Sequence, residues 1–136
     1  EEWNAEIVSR WVDQIHNLGI KHFSLSDTVG VSNPKSIEQV FSVMQLEFPK
    51  AEFGAHFHTT SDKWEEKVKT AHNFGCKRFD GALKGYGGCP MAKDDLVGNM
   101  PTEKMVQYFG YDTVQIEKAP FKEALILANQ IFSKYQ

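Results

Sequence analysis

Three short runs of strand-like sequence, each set between longer stretches whose apolar residues recur every three or four positions, constrain this chain more than any other feature. Trp3, Ile7, Val8, Trp11, Val12, Ile15 and Leu18 have the spacing of a helix with one buried stripe, which Gly19 ends. Ile20 to Asp27 alternates, with Phe23 and Leu25 on one face and His22 and Ser24 on the other, and reads as a strand closing at Asp27. Thr28 to Asn33 is its loop. Pro34 suits the first turn of a second helix, capped by Ser32 or Asn33, with Ile37, Val40, Phe41 and Met44 buried and Pro49 as its end.

The second strand runs from about Glu52 to Phe57. Ser61 or Asp62 then caps a helix with Trp64, Val68, Ala71 and Phe74 inward and Gly75 as its stop. Lys77 to Leu83 is the third strand, followed by the glycine-rich run Lys84-Gly85-Tyr86-Gly87-Gly88-Cys89-Pro90, which suits a lid. A short helix starts at Pro101 and reaches Tyr108; a last one spans about Pro120 to Tyr135. The order αβαβαβ followed by helices, with strands beginning about 25 to 30 residues apart, is the rhythm of a parallel sheet. Three strands are too few to close an eight-stranded barrel by themselves.

Composition removes several functions. The 136 residues are 41% hydrophobic with a formal net charge of -3, and Lys and Arg are dispersed among Asp and Glu. No basic block offers a track for nucleic-acid phosphates, and no apolar run is long enough for a membrane span. The opening Glu1-Glu2-Trp3 reads as an internal cut without a leader. Cys76 and Cys89 are too few for a disulfide framework, so both are expected as reduced thiols in a cytoplasmic protein. No linker or low-complexity tract divides residues 1-136, which are expected to form one unit.

The chemistry gathers at the ends of the strands. In Gly54-Ala55-His56-Phe57-His58-Thr59-Thr60, alternation puts His56 and His58 on one face at the carboxyl end of a strand, where they can share an ion. Two histidines hydrogen-bonded to their neighbours fit the same spacing. Asp27 ends the preceding strand on the same rim, as a metal or substrate carboxylate or as a turn residue bonding its own loop. Asp80 is another rim candidate if its register directs it, rather than Phe79, to that face. Cys89 sits in the glycine-rich loop, a setting for a proton-transfer or redox-sensitive thiol. Asn99 can offer its amide oxygen to a hard cation or cap the helix beginning at Pro101. Two imidazoles with oxygen donors suit Mg²⁺ or Mn²⁺, or Zn²⁺ at lower coordination. Neither a phosphate loop nor a dinucleotide fingerprint is present.

Ser24-Leu25-Ser26-Asp27-Thr28-Val29-Gly30, His56-Phe57-His58, and Gly85-Tyr86-Gly87-Gly88-Cys89-Pro90 with the following Gly98-Asn99 resemble, in order and spacing, the 3-hydroxy-3-methylglutaryl-CoA lyases. The glycine-glycine-cysteine-proline loop is the specific part, because related synthases and aldolases share the other motifs. The resemblance implies an α/β fold, the C-terminal portion of a (β/α)8 TIM barrel with about three parallel strands and surrounding helices. It implies metal ligands at His56, His58 and Asn99, an Asp27 that helps position substrate, and Cys89 as the lid thiol of proton transfer. The implied reaction, of the leucine-degradation and ketone-body type, cleaves an acyl-CoA substrate to acetyl-CoA and acetoacetate with Mg²⁺ or Mn²⁺. A related condensing enzyme or aldolase, or a non-catalytic metal-binding half-barrel, is the alternative.

Two departures accompany the resemblance. The family's Arg-Asp pair, from the first strand of its barrel, has no counterpart in this sequence, so the isolated chain is expected to be inactive. The family's Asp after the second His is Thr59, and its Gly and Asn in the next helix are replaced around Lys63-Trp64-Glu65-Glu66. Three parallel strands also leave strand edges and a barrel-interior face without partners. A homodimer, or pairing with the missing half-barrel, is the expected remedy.

Overall fold

The computed structural model describes residues 4–88 and 97–134. Helix α1 (Ala5–His16) starts where Asn4 accepts a hydrogen bond from the Ile7 N–H at 2.9 Å. Strand β1 (His22–Asp27) leads to helix α2 (Pro34–Glu47), whose cap is Asn33, with Ser36 returning a bond to complete a capping box. Strand β2 (Glu52–Thr59) precedes helix α3 (Trp64–Asn73). Neither Ser61 nor Asp62 caps α3; Lys63 occupies that position and makes no side-chain cap bond.

Strand β3 is shorter than its sequence suggests, Arg78–Phe79 in place of Lys77 to Leu83. The chain bends away at Gly81, where a β-carbon would lie 2.8 Å from the Met100 carbonyl oxygen, and then enters a 3-10 turn over Leu83–Gly85 with left-handed Lys84 and Gly85. A two-residue strand β4 (Gly98–Asn99) follows, then helices α4 (Thr102–Phe109) and α5 (Lys118–Phe132).

The sheet runs β1-β2-β3 in parallel, and β4 lies antiparallel against the carboxyl end of β2. Alternation divides its two faces. Phe23, Phe53, Ala55 and Phe57 are buried against the helices with Ile37, Val40, Phe41, Met44, Val68 and Ala71. The other face carries Ser24, Ser26, His56, Arg78 and Asp80, so the uncovered side of the sheet is polar rather than apolar. Gly54 is flat because the Arg78 guanidinium lies over it: an added β-carbon would be 2.6 Å from Arg78 Cζ.

The α1 stripe meets the core through Val12, while Trp11, Ile15 and Leu18 are exposed, the first two beside the free edge of β1. Together with Ile7, Val8, Phe23 and Leu25, Trp11 and Ile15 line an open groove there. Among the described residues no helix is long and apolar enough to cross a membrane.

Candidate metal centre

The pairing of β1, β2 and β4 assembles the candidate site. His56 and His58 project from one side of β2 as alternation requires, with ring centroids 5.5 Å apart. Asn99 is the register partner of His58 across the antiparallel step, so the three candidate ligands come to one end of the sheet. Asn99 is a strand residue rather than a helix cap; α4 starts after Pro101 without a side-chain cap bond.

Tight backbone approach holds β4 in place. The Asn99 N–H donates to the Gly87 carbonyl at 3.1 Å, and its side-chain amide donates to the Tyr86 carbonyl at 2.8 Å. The second bond uses the amide nitrogen, so a cation at this place would be met by the amide oxygen. Gly98 allows this approach, because a β-carbon there would lie 2.5 Å from the Gly85 carbonyl oxygen.

The two imidazoles sit in different surroundings. His56 Nδ1 lies 3.4 Å from Asp80 Oδ2, and the same carboxylate oxygen accepts a hydrogen bond from the Ser24 hydroxyl at 3.2 Å. The register Gly54 opposite Arg78 and Ala55 opposite Phe79 puts Asp80 level with His56, which resolves the strand direction that alternation leaves open. A carboxylate on one ring nitrogen directs the other outward, as a histidine ligand requires. His58 is buried, and its Nδ1 makes no hydrogen bond. Burial, then the neighbouring His56, pushes the His58 imidazole below its usual range, against the opposing pull of Asp27. A neutral imidazole is the form that donates to a metal, and the set of two imidazoles and one amide oxygen fits a divalent cation. No group of three or more His, Cys, Asp or Glu side chains converges among the described residues.

Asp27 is occupied by its own loop. Its two oxygens accept the N–H groups of Val31 at 3.0 Å and Ser32 at 2.8 Å, the bonding of a turn-closing aspartate. Burial opposes its charge, but Ser32 and Lys67 outweigh that cost and hold the carboxyl below its ordinary range. Lys67 is the residue that the motifs do not flag. Its side chain is 1% exposed, and its ammonium lies 3.1 Å from Asp27 Oδ2. The signal was its spacing: 64, 67, 68 and 71 make one helical stripe, so position 67 had to face the core.

Cys89 lies outside the described residues. The other cysteine, Cys76, is buried and free, and burial pushes its thiol up to about 12, so it is a core residue without nucleophilic character.

Comparison with known proteins agrees with this fold. The HMGL-like family model matches residues 2–119. A hydroxymethylglutaryl-CoA lyase of Bacillus subtilis is 37% identical over 101 residues, 74% of this chain and 33% of that protein. A crystal structure of an HMG-CoA lyase from the same species superposes with a TM-score of 0.80 at 31% identity, covering 98% of this chain and 44% of the other. An Acinetobacter baumannii HMG-CoA lyase in complex with coenzyme A and 3-methylmalate superposes at 0.65 with 32% identity, covering 81% and 35%. The chain thus spans about a third of the length of the curated relative it matches, and its fold is part of a (β/α)8 barrel, the class its motifs imply.

Proposed function

This chain belongs to the HMGL-like family, and from that premise we propose that it is the carboxyl-terminal part of a metal-dependent lyase cleaving 3-hydroxy-3-methylglutaryl-CoA to acetyl-CoA and acetoacetate in the cytoplasm. The observation that carries the reading is the buried, unbonded Nδ1 of His58, in register with Asn99 and beside His56. The relative solved with coenzyme A supports an acyl-CoA as the substrate class.

His56, His58 and Asn99 would hold Mg²⁺ or Mn²⁺. When bound, that cation supplies Lewis acidity, lowering the cost of negative charge that develops on substrate oxygen. Asp80 keeps the His56 ring oriented through Nδ1, and Asp27 fixes the loop that borders the substrate. In the proposed retro-Claisen step a base takes the proton of the tertiary hydroxyl, and the bond between the carbinol carbon and the thioester α-carbon breaks. The electrons of that bond become the acetyl-CoA enolate, which takes a proton on carbon. Cys89, which follows the glycine run in the sequence, is assigned that proton transfer.

In the longer protein, Cys89→Ala should lower turnover by orders of magnitude; unchanged turnover would remove the thiol from the reaction. The 136-residue chain alone lacks the family's Arg-Asp pair. It should therefore bind Mn²⁺ weakly and turn over no substrate. Submicromolar Mn²⁺ binding in a calorimetric titration, or measurable cleavage by this chain, would contradict that assignment. Binding that persists unchanged in His58→Ala would place the cation elsewhere.

A further inference from the structure

A lysine in the middle of a core stripe calls for an account. Val68 and Ala71 on the same face of α3 are completely buried, and Lys67 is 1% exposed. A Met there would fill the same space without the desolvation a buried ammonium suffers, and buried ion pairs generally add little stability over packed apolar groups. What the lysine adds is direction. Its ammonium has three N–H donors, and three acceptors meet them: the His58 carbonyl at 2.8 Å, Asp27 Oδ2 at 3.1 Å and the Gly30 carbonyl at 3.2 Å.

Those acceptors come from the end of β2, the end of β1 and the loop between β1 and α2. One side chain therefore joins the strand bearing the two histidines to the loop beside them. The shortest of the three bonds falls on the backbone of His58, the residue whose ring nitrogen is buried and unbonded. The loop has little room to shift at this point. Gly30 has φ +73°, and a β-carbon on it would lie 2.8 Å from Val97 and 3.5 Å from the same His58 carbonyl oxygen.

We propose that Lys67 is a positioning residue of the metal centre, clamping the His58 carbonyl to the Asp27 loop so that the His58 imidazole is held opposite Asn99. The proposal rests on the reading of His58 as a ligand. It goes beyond that reading in assigning the orientation of the ligand to a charged residue on the neighbouring helix.

The test compares the full chain with Lys67→Met and with the double variant Lys67→Met/Asp27→Asn. The double variant removes both charges, so the net charge beside the cation is unchanged and no carboxylate is left buried without its partner. Thermal melts, Mn²⁺ titration and metal-free NMR of the His58 ring, assigned with His58→Gln, are the measurements. The single variant should melt lower and bind Mn²⁺ about 10- to 100-fold more weakly, the usual effect of removing a group that orients a ligand. The double variant should regain part of the melting temperature, since the new amide oxygen still accepts one of the two backbone N–H groups, yet keep the weakened Mn²⁺ binding, because the His58 carbonyl still has no donor. Recovery of both together would reduce Lys67 to a structural ion pair and overturn the proposal. If the parent chain takes up no Mn²⁺, the cation reading fails by itself. The ring signals of His58 then decide: displaced in the double variant, they support the clamp, and unchanged, they overturn it.

Discussion

Replacing Phe41 with Ala tests how far the candidate site depends on the helix layer behind it. Phe41 is 1% exposed and meets Phe57 edge to face, with ring centroids 6.4 Å apart and planes at 82°. Phe57 lies between the two histidines on β2 and points to the opposite face, so its packing fixes the plane from which both imidazoles project. Truncating a fully buried phenylalanine costs about 3–5 kcal/mol, the lost transfer free energy plus the cavity left behind. For a domain of this size that corresponds to a drop of about 10–15 °C in melting temperature, a large share of the ~5–15 kcal/mol that holds a typical domain folded. Leu46→Ala on the same helix is the control: Leu46 is 82% exposed, both residues favour helix, and the change should stay within about 0.5 kcal/mol. Urea unfolding of both variants is the assay, with NMR of the histidine rings read alongside. A loss below about 1 kcal/mol for Phe41→Ala, or equal losses for the two variants, would refute the claim that the core runs through the α2–β2 contact. Unmoved His56 and His58 signals in a destabilised Phe41→Ala would refute the coupling of that core to the site.

Acid should act through two groups of opposite preference. Asp27 has its carboxyl held below 3.8, so its contribution is complete above that value and is lost as pH falls through the lower folded value. His58 is held below 6.5, so the unfolded chain takes up its proton first and stability declines as pH drops below 6.5. Chelator-treated samples unfolded across pH should show both limbs, and His58→Gln should remove the upper one. Cys76 should resist a thiol reagent until the chain unfolds; mass mapping of the alkylated sites checks this, and native labelling of Cys76 would contradict its burial. The exposed apolar residues Trp11 and Ile15 beside the free β1 edge should drive the isolated chain to pair with a second copy or with the missing half-barrel. Sedimentation of Trp11→Lys against the parent measures this, and a parent chain that is monomeric at micromolar concentration without binding an exposed-surface dye would refute it.

Much of this architecture is readable because local and long-range preferences agree. The α2 stripe of Ile37, Val40, Phe41 and Met44, the Asn33 cap and the alternation that pairs His56 with His58 are all as expected. Two differences have one origin. Strand β3 ends early and Asn99 becomes a strand residue because β4 lies against β2 on one side and the turn at 81–87 on the other, and the second approach requires glycine at 81 and 98. Glycine spacing signals a loop in the sequence but carries no information about which backbone will come close to it.

Lys67 shows a different limit. Periodicity places it on the inner face of α3, yet a lysine in that stripe reads as a surface residue until acceptors are known to surround it. Those acceptors are two backbone carbonyls and a carboxylate as many as 40 residues away. No side-chain motif encodes a carbonyl, so the clamp is invisible to any search for paired chemical groups. Its consequence reaches Asp27 as well. Alone at a strand end, that carboxylate could face an ion, substrate or its own turn; with Lys67 and two backbone N–H groups on it, its charge is already balanced inside the protein. In the proposed metal reading, the donors left to the cation are therefore the neutral side chains of His56, His58 and Asn99. A site of that kind binds a divalent ion strongly only when a further carboxylate completes it.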